Sequence, residues 1–243
     1  MKQKITVLGL SAGALLLALV GCARANSDDI SSSSINARFS VSPNKAGTSV
    51  TCSADLTVGS DGVGGTRIDL SSTDKLTCTD GTTEKQLTGS AGNYEATGLA
   101  KEDGQSYNFK LTRTNVGDCG HAEELSSVVT LPPIPVISAP AASATLSRAG
   151  GFTVSWTPGE DSITVTLSSN ATATGAEGET GTATWSGTDA SGTLSVAAAD
   201  LVSFRNGSAL LSVKRSRSGT HSAVLKGDTS SSATGSVTIT VAD

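Results

Sequence analysis

The sequence predicts an all-β protein built from two tandem β-sandwiches. Short runs of alternating apolar and polar residues recur along most of the chain, with turn residues between them about every 8–12 positions. Ser, Thr, Gly and Ala dominate, and aromatics make up only 3%. That balance suits strands with small polar outer faces better than helices. Pro132-Pro133-Ile134-Pro135 then divides the chain. Such a run continues neither a helix nor a central strand. The roughly 200 residues that follow position 34 suit two domains of about 100 each.

The N-terminus is of another kind. Lys2 and Lys4 precede an uncharged run from Ile5 to Val20, then Gly21 and Cys22. A charged start, an apolar stretch and a small-residue cleavage point make a secretory signal. The stretch is shorter than the roughly 20 residues that span a bilayer, which disfavours an uncleaved membrane helix. Leu19-Val20-Gly21-Cys22, at the end of the apolar run, resembles the lipobox of bacterial lipoproteins. That resemblance implies cleavage before Cys22, diacylglycerol on its thiol, and acylation of the new amine in many bacteria. A thiolate is a strong nucleophile. Each buried methylene adds about 0.8 kcal/mol of membrane affinity, so two or three chains anchor stably. By the sorting rule that accompanies the resemblance, Ala23 favours the outer membrane. Residues 22–34 then form the lipidated Cys and a tether; ARANSDDISSSS is polar, Ser-rich and without apolar periodicity, as a flexible linker would be.

Removing Lys2 and Lys4 with the signal leaves 15 basic and 22 acidic side chains, a net of −7. Nucleic-acid binding, which needs a basic surface, is disfavoured. Besides Cys22, the chain has Cys52, Cys78 and Cys119. In an exported protein three cysteines suggest one disulfide and one free thiol. A zinc site is weaker, because there is no Cys-x-x-Cys spacing and His121 is the sole nearby imidazole.

In the first half, residues 35–132, strands are expected at Ala37–Val41, Ser49–Val58, Thr66–Leu70, Lys75–Cys78, Lys85–Leu87, Tyr107–Leu111 and Val128–Leu131. Asp80-Gly81 reads as a hairpin turn. The stretch from Gly98 to Leu111, GLAKEDGQSYNFKL, resembles the E–F corner and F strand of fibronectin type III and related immunoglobulin-like domains. The resemblance makes Leu99 and Tyr107 the structural corner, the Tyr hydroxyl bonding back to nearby backbone. Asn115-Val116-Gly117 and Ser126 to Pro133 resemble the F–G loop, G strand and exit. No core Trp accompanies the short strands at 75–78 and 85–87, which departs from the family pattern.

After the linker at 133–136, residues 137–243 repeat the architecture. GFTVSWTPG, with Phe152, Val154 and Trp156 alternating, resembles a B strand with an inward Trp. Ile163–Leu167, Thr182–Trp185, Thr193–Val196, Ala209–Val213, Ala223–Leu225 and Val237–Val241 supply the other strands. The whole is similar to exported bacterial lipoproteins with tandem immunoglobulin-like domains. On that topology, with Lys75–Cys78 taken as C′, Cys78 and Cys119 fall at the same end of the sandwich. Cys52 lies roughly 20 Å down its strand. The expected disulfide is therefore Cys78–Cys119, with Cys52 a buried free thiol.

Catalytic chemistry is hard to find. The chain has two histidines, His121 and His221, and no Gly-x-Ser-x-Gly elbow in its mature part. Cys119-Gly120-His121-Ala122-Glu123-Glu124 gathers ligand-type residues without metal-site spacing. The acidic turns at Asp61, Asp80, Asp103 and Glu160-Asp161 lack the calcium-loop pattern, and Asp-Gly is a good turn in its own right. Lys214, Arg215, Arg217, His221 and Lys226 form a basic stretch that reads as a solvated hairpin or a contact for anionic headgroups. Trp185 is the one candidate for sugar stacking, with core packing the alternative. No cofactor or metal is expected. These readings converge on a non-catalytic, lipid-anchored cell-envelope protein. Its two sandwich modules would be structural or would bind a protein or glycan. A surface adhesin or glycan-binding module is the alternative, and an enzyme ranks last.

Overall fold

The computed structural model describes residues 24–44, 46–59, 65–114, 122–169 and 181–243. The first half carries β1 (Arg24–Asn26), β2 (Ile35–Pro43), β3 (Ser49–Val58), β4 (Thr66–Asp69), β5 (Lys75–Thr79), β6 (Glu84–Gln86), β7 (Thr88–Ser90), β8 (Asn93–Ala100), β9 (Ser106–Arg113) and β10 (Glu123–Thr130). The second carries β11 (Ile137–Ala139), β12 (Thr145–Ser147), β13 (Phe152–Trp156), β14 (Ser162–Ser169), β15 (Thr182–Thr188), β16 (Thr193–Val196), a single helical turn α1 (Ala198–Leu201), β17 (Gly207–Ser218) and β18 (Lys226–Ala242).

The chain is all-β, and the two halves use one plan. In the first, β2, β3 and β8 form one layer, and the order β10-β9-β5-β6 forms the other. In the second, β11, β13 and β16 face the order β18-β17-β14-β15. In immunoglobulin-like lettering these are A, B and E against G, F, C and C′. Alternation explains the strands. On β3, Val50, Cys52, Ala54 and Leu56 point inward; on β9, Tyr107, Phe109 and Leu111 do. Each half has its own hydrophobic cluster, the first around Phe39, Tyr107 and Phe109, the second around Trp156, Val165 and Leu211. Pro132 to Pro135 lies between them in the chain.

The structure corrects the sequence reading in three places. Lys75–Thr79 is C rather than C′: β5 pairs with β9 on one side and with β6 on the other. Residues 24–34 do not hang free as a tether. β1 pairs with β4, two short 3-10 turns follow at Ser27–Asp29 and Ser32–Ser34, and Ser27 and Ser32 are buried. Ala223–Leu225 is not a strand but part of the turn between β17 and β18, and Leu225 belongs to the first half's cluster.

That turn marks the main departure from beads on a string. β18 is 17 residues long. Its later part pairs with β17 and β12 in the second sandwich. Its early part, Lys226 to Ser231, pairs in parallel with Asn36 to Val41 on β2. One sheet therefore runs through both halves. Gly227 permits the approach: its φ is +106°, and a Cβ there would strike the Ala37 carbonyl.

Candidate functional site

Cys22 and Cys119 lie outside the described residues; Cys78, Leu99 and Tyr107 lie within them. Tyr107 ends its strand's inward row at the E–F corner. Its Oη donates to the Ala100 carbonyl at 2.5 Å, and Leu99 packs beneath it, 1% exposed. Burial pushes the Tyr107 hydroxyl up to about 12, so it stays a donor at any physiological pH. Tyr94 performs a similar task on β8, accepting from the Leu70 N–H at 2.8 Å and donating to the Ile68 carbonyl at 3.1 Å.

Cys78 sits beside Cys52. The two sulfurs are 2.6 Å apart, and both residues are fully buried. The sequence reading put Cys78 at a strand end, 20 Å from Cys52. As the fourth residue of C, opposite Phe109 on β9, it lies instead at mid-height, where the B strand presents Cys52.

Each sandwich buries one arginine at the end of the F strand's inward row. Arg113 Nη2 donates to the carbonyls of Ser27 and, at 2.7 Å, Ile30; Nη1 donates to Ser32 Oγ at 2.6 Å. Asp74 Oδ2 lies 3.6 Å from Nε, an attraction rather than a hydrogen bond. Arg215 pairs directly with Asp189, Nε to Oδ2 at 2.7 Å and Nη2 to Oδ1 at 2.9 Å. It also donates to the carbonyls of Pro133 and Thr157. Trp156 Nε1 donates to Asp189 Oδ1 at 3.0 Å. Burial alone would raise the Asp189 carboxyl. Hydrogen bonds from Arg215, the Asp161 N–H and Trp156 outweigh it and hold the group below the ordinary carboxylate value.

The seam between the halves uses much of the basic stretch picked out in the sequence. Thr220 and Val128 exchange two backbone hydrogen bonds of 2.8 Å. Ser222 N–H donates to Ser127 Oγ at 3.0 Å, and Ser231 Oγ donates to the Thr130 carbonyl at 2.8 Å. His221 stacks at a tilt on Phe39, centroids 5.8 Å apart, with Nδ1 2.8 Å from Thr229 Oγ1 and Nε2 3.1 Å from the Lys226 carbonyl. Since that carbonyl can only accept, Nε2 carries a proton. The β17–β18 turn thus bridges the A and G edges of the first sandwich, which would otherwise lie open. Arg215 is buried and Arg217 forks onto Asp161 at 2.7 and 2.9 Å. Only Lys214 and Lys226 of this group remain as exposed cations.

Two surface features remain. A polar groove of about 630 Å³ crosses the seam, lined among others by Arg38, Asp55, Asn93, Glu95 and Asp228. Arg38 pairs with Asp228 at 3.6 Å and Arg67 with Asp55 at 2.7 Å. Trp185 is half-buried against the second cluster, and its indole N–H donates to Asp200 at 3.2 Å. Asp80 is consumed by its own turn, accepting from the Thr82 and Thr83 N–H groups and the Thr82 hydroxyl. Those bonds lower it to about 2. Among the described residues no group of three His, Cys, Asp or Glu side chains is placed to hold a metal.

No protein-family model matches the chain, and no curated protein matches it. Solved structures similar to it are tandem fibronectin type III fragments. The FN1–FN3 domains of chicken CNTN1 share 14% identity over 81% of this chain, with a TM-score of 0.22; the match spans 62% of that chain. A two-domain fibronectin type III segment of chicken tenascin shares 15% over 82% of this chain and 96% of that one, with a TM-score of 0.28. The assignment of the fold rests on the strand order itself, which makes the chain a tandem of immunoglobulin-like, fibronectin type III-like sandwiches.

Proposed function

We propose that this is a lipid-anchored, non-catalytic envelope protein. Its two sandwiches act as one rigid body for a structural or partner-binding role, with the outer membrane favoured by Ala23. The lipobox at Leu19 to Cys22 supports the anchor. The observation that carries the mechanical reading is Arg113's hold on Ser27, Ile30 and Ser32. Arg24, the first described residue, lies two positions after Cys22. At about 3.3–3.6 Å per residue, two residues reach at most some 7 Å. An anchor that short holds the first sandwich at the headgroups. The partner is an unidentified protein or glycan, and the groove across the seam, lined by Arg38, Asp55, Glu95 and Asp228, offers it charged and polar side chains.

The experiment is intact-mass analysis of the membrane fraction, with Cys22→Ser as control. Diacylglycerol on a mature chain beginning at Cys22 is expected, and the variant should remain as precursor or become soluble. A mature chain beginning elsewhere without lipid would contradict the reading. Protease shaving of whole cells then distinguishes a periplasmic from an outward-facing body.

A further inference from the structure

We propose that Cys52 and Cys78 are joined by a disulfide that staples β3 to β5 across the first sandwich. Both side chains come from inward positions of facing layers. Within its own sheet Cys52 stands opposite Val41 and Ala96, and Cys78 opposite Lys85 and Phe109. Both are 0% exposed. Their sulfurs approach to 2.6 Å, closer than unbonded sulfurs rest, and closing to a bond of about 2.05 Å needs only a small adjustment.

As thiols the pair has little use. Sharing a hydrogen bond with Cys52 and removed from water, the Cys78 thiol is pushed upward and stays protonated. Buried thiols of this kind are inert as nucleophiles. As a disulfide the pair closes the chain between residues 52 and 78 and so limits the unfolded ensemble. Formation is a balanced exchange. Two thiols lose two protons and two electrons, one sulfur–sulfur bond forms, and the disulfide of an oxidant such as glutathione disulfide is reduced to two thiols. Because the site is closed in the folded state, exchange happens while β3 and β5 are still parting or meeting. The proposal needs an oxidising compartment and is independent of whether Cys22 carries lipid.

Trypsin separates the three cysteines: Cys52 falls in residues 46–67, Cys78 in 76–85 and Cys119 in 114–148. The full mature chain is refolded in a glutathione disulfide/glutathione mixture, its remaining thiols are blocked, and it is mapped without reduction. The expected result is peptide 46–67 linked to 76–85, with Cys119 blocked or carrying glutathione. Reduction should lower the melting temperature by on the order of 10 °C. Cys52→Ala should melt near the reduced protein and no longer respond to reductant. A link between 76–85 and 114–148, a link between 46–67 and 114–148, or three blocked thiols in a protein that melts cooperatively would each overturn the proposal.

Discussion

The two sandwiches share a strand order and differ in how they hold the polypeptide that enters them. Their F strands align inward residue by inward residue: Tyr107, Phe109, Leu111 and Arg113 in the first, Ala209, Leu211, Val213 and Arg215 in the second. The row ends on a buried arginine in both. Arg113 grips carbonyls of residues 27–30 and Arg215 grips that of Pro133, so each arginine fastens the segment leading into its own sandwich. The compensation of charge differs. Asp189 touches Arg215 at 2.7 Å, whereas Asp74 stands 3.6 Å from Arg113. The register places Cys78, opposite Phe109, where the second sandwich has Leu167, opposite Leu211. The first sandwich thus relies on a cysteine pair and a corner tyrosine, and the second on an ion pair bonded to a tryptophan.

The sharpest way to break that comparison is to remove each acid. Asp189→Ala strands Arg215 without its countercharge and frees the Trp156 indole N–H. It should cost about 3–5 kcal/mol of stability by chemical denaturation. Asp74→Ala removes a more distant charge and the acceptor for the Thr114 N–H, and should cost less, about 1–3 kcal/mol. Equal losses would show that the two arginines are compensated alike.

Arg113→Met tests the grip on the N-terminal segment. Amides such as Ile30 and Ser34, bonded within residues 27–34, should exchange with solvent at least ten-fold faster while β9 stays protected. Unchanged exchange there would mean that β1 and β4 hold the segment without Arg113. Tyr107→Phe deletes the corner bond to Ala100 and should cost about 0.5–1.5 kcal/mol. A loss beyond that range would mean that the hydroxyl does more than satisfy one carbonyl.

The smallest effect is one of pH. The Asp80 carboxyl is lowered from 3.8 to about 2 by its turn bonds. A depressed folded value contributes stability above the unfolded value and loses it as pH falls. A shallow decline is therefore expected between about pH 4 and pH 2. Asp80→Asn should reduce that slope if Asp80 accounts for it.

Much of this was legible in the sequence. The strict alternation on β2, β3 and β9 marks buried faces directly. The early half of β18 was not legible, because KGDTSSSATGS carries no apolar row. Its buried positions are Thr229, Ser231 and Ala233, small residues chosen for close approach to β2, with Ser231 donating to a carbonyl of β10's last residue. The packing of residues 24–34 was invisible for a related reason. Its fixing comes from an arginine more than 80 residues away bonding to carbonyls, which leaves no pattern in the segment itself. The expected Cys78–Cys119 pairing turned on one strand letter: with Lys75–Thr79 as C, the inward rows of β3 and β5 bring Cys52 and Cys78 together.

The β17–β18 hairpin joins the two sandwiches through β2 and β10, and they should therefore unfold as one body. Calorimetry of the lipid-free chain from Arg24 to Asp243 tests it most directly, beside the Gly227→Val variant, whose side chain would collide with the Ala37 carbonyl and part β18 from β2. A single transition is expected for the parent chain and two for the variant, with the first sandwich melting earlier. Two independent transitions in the parent chain, the first unchanged when residues 24–132 are studied alone, would contradict it.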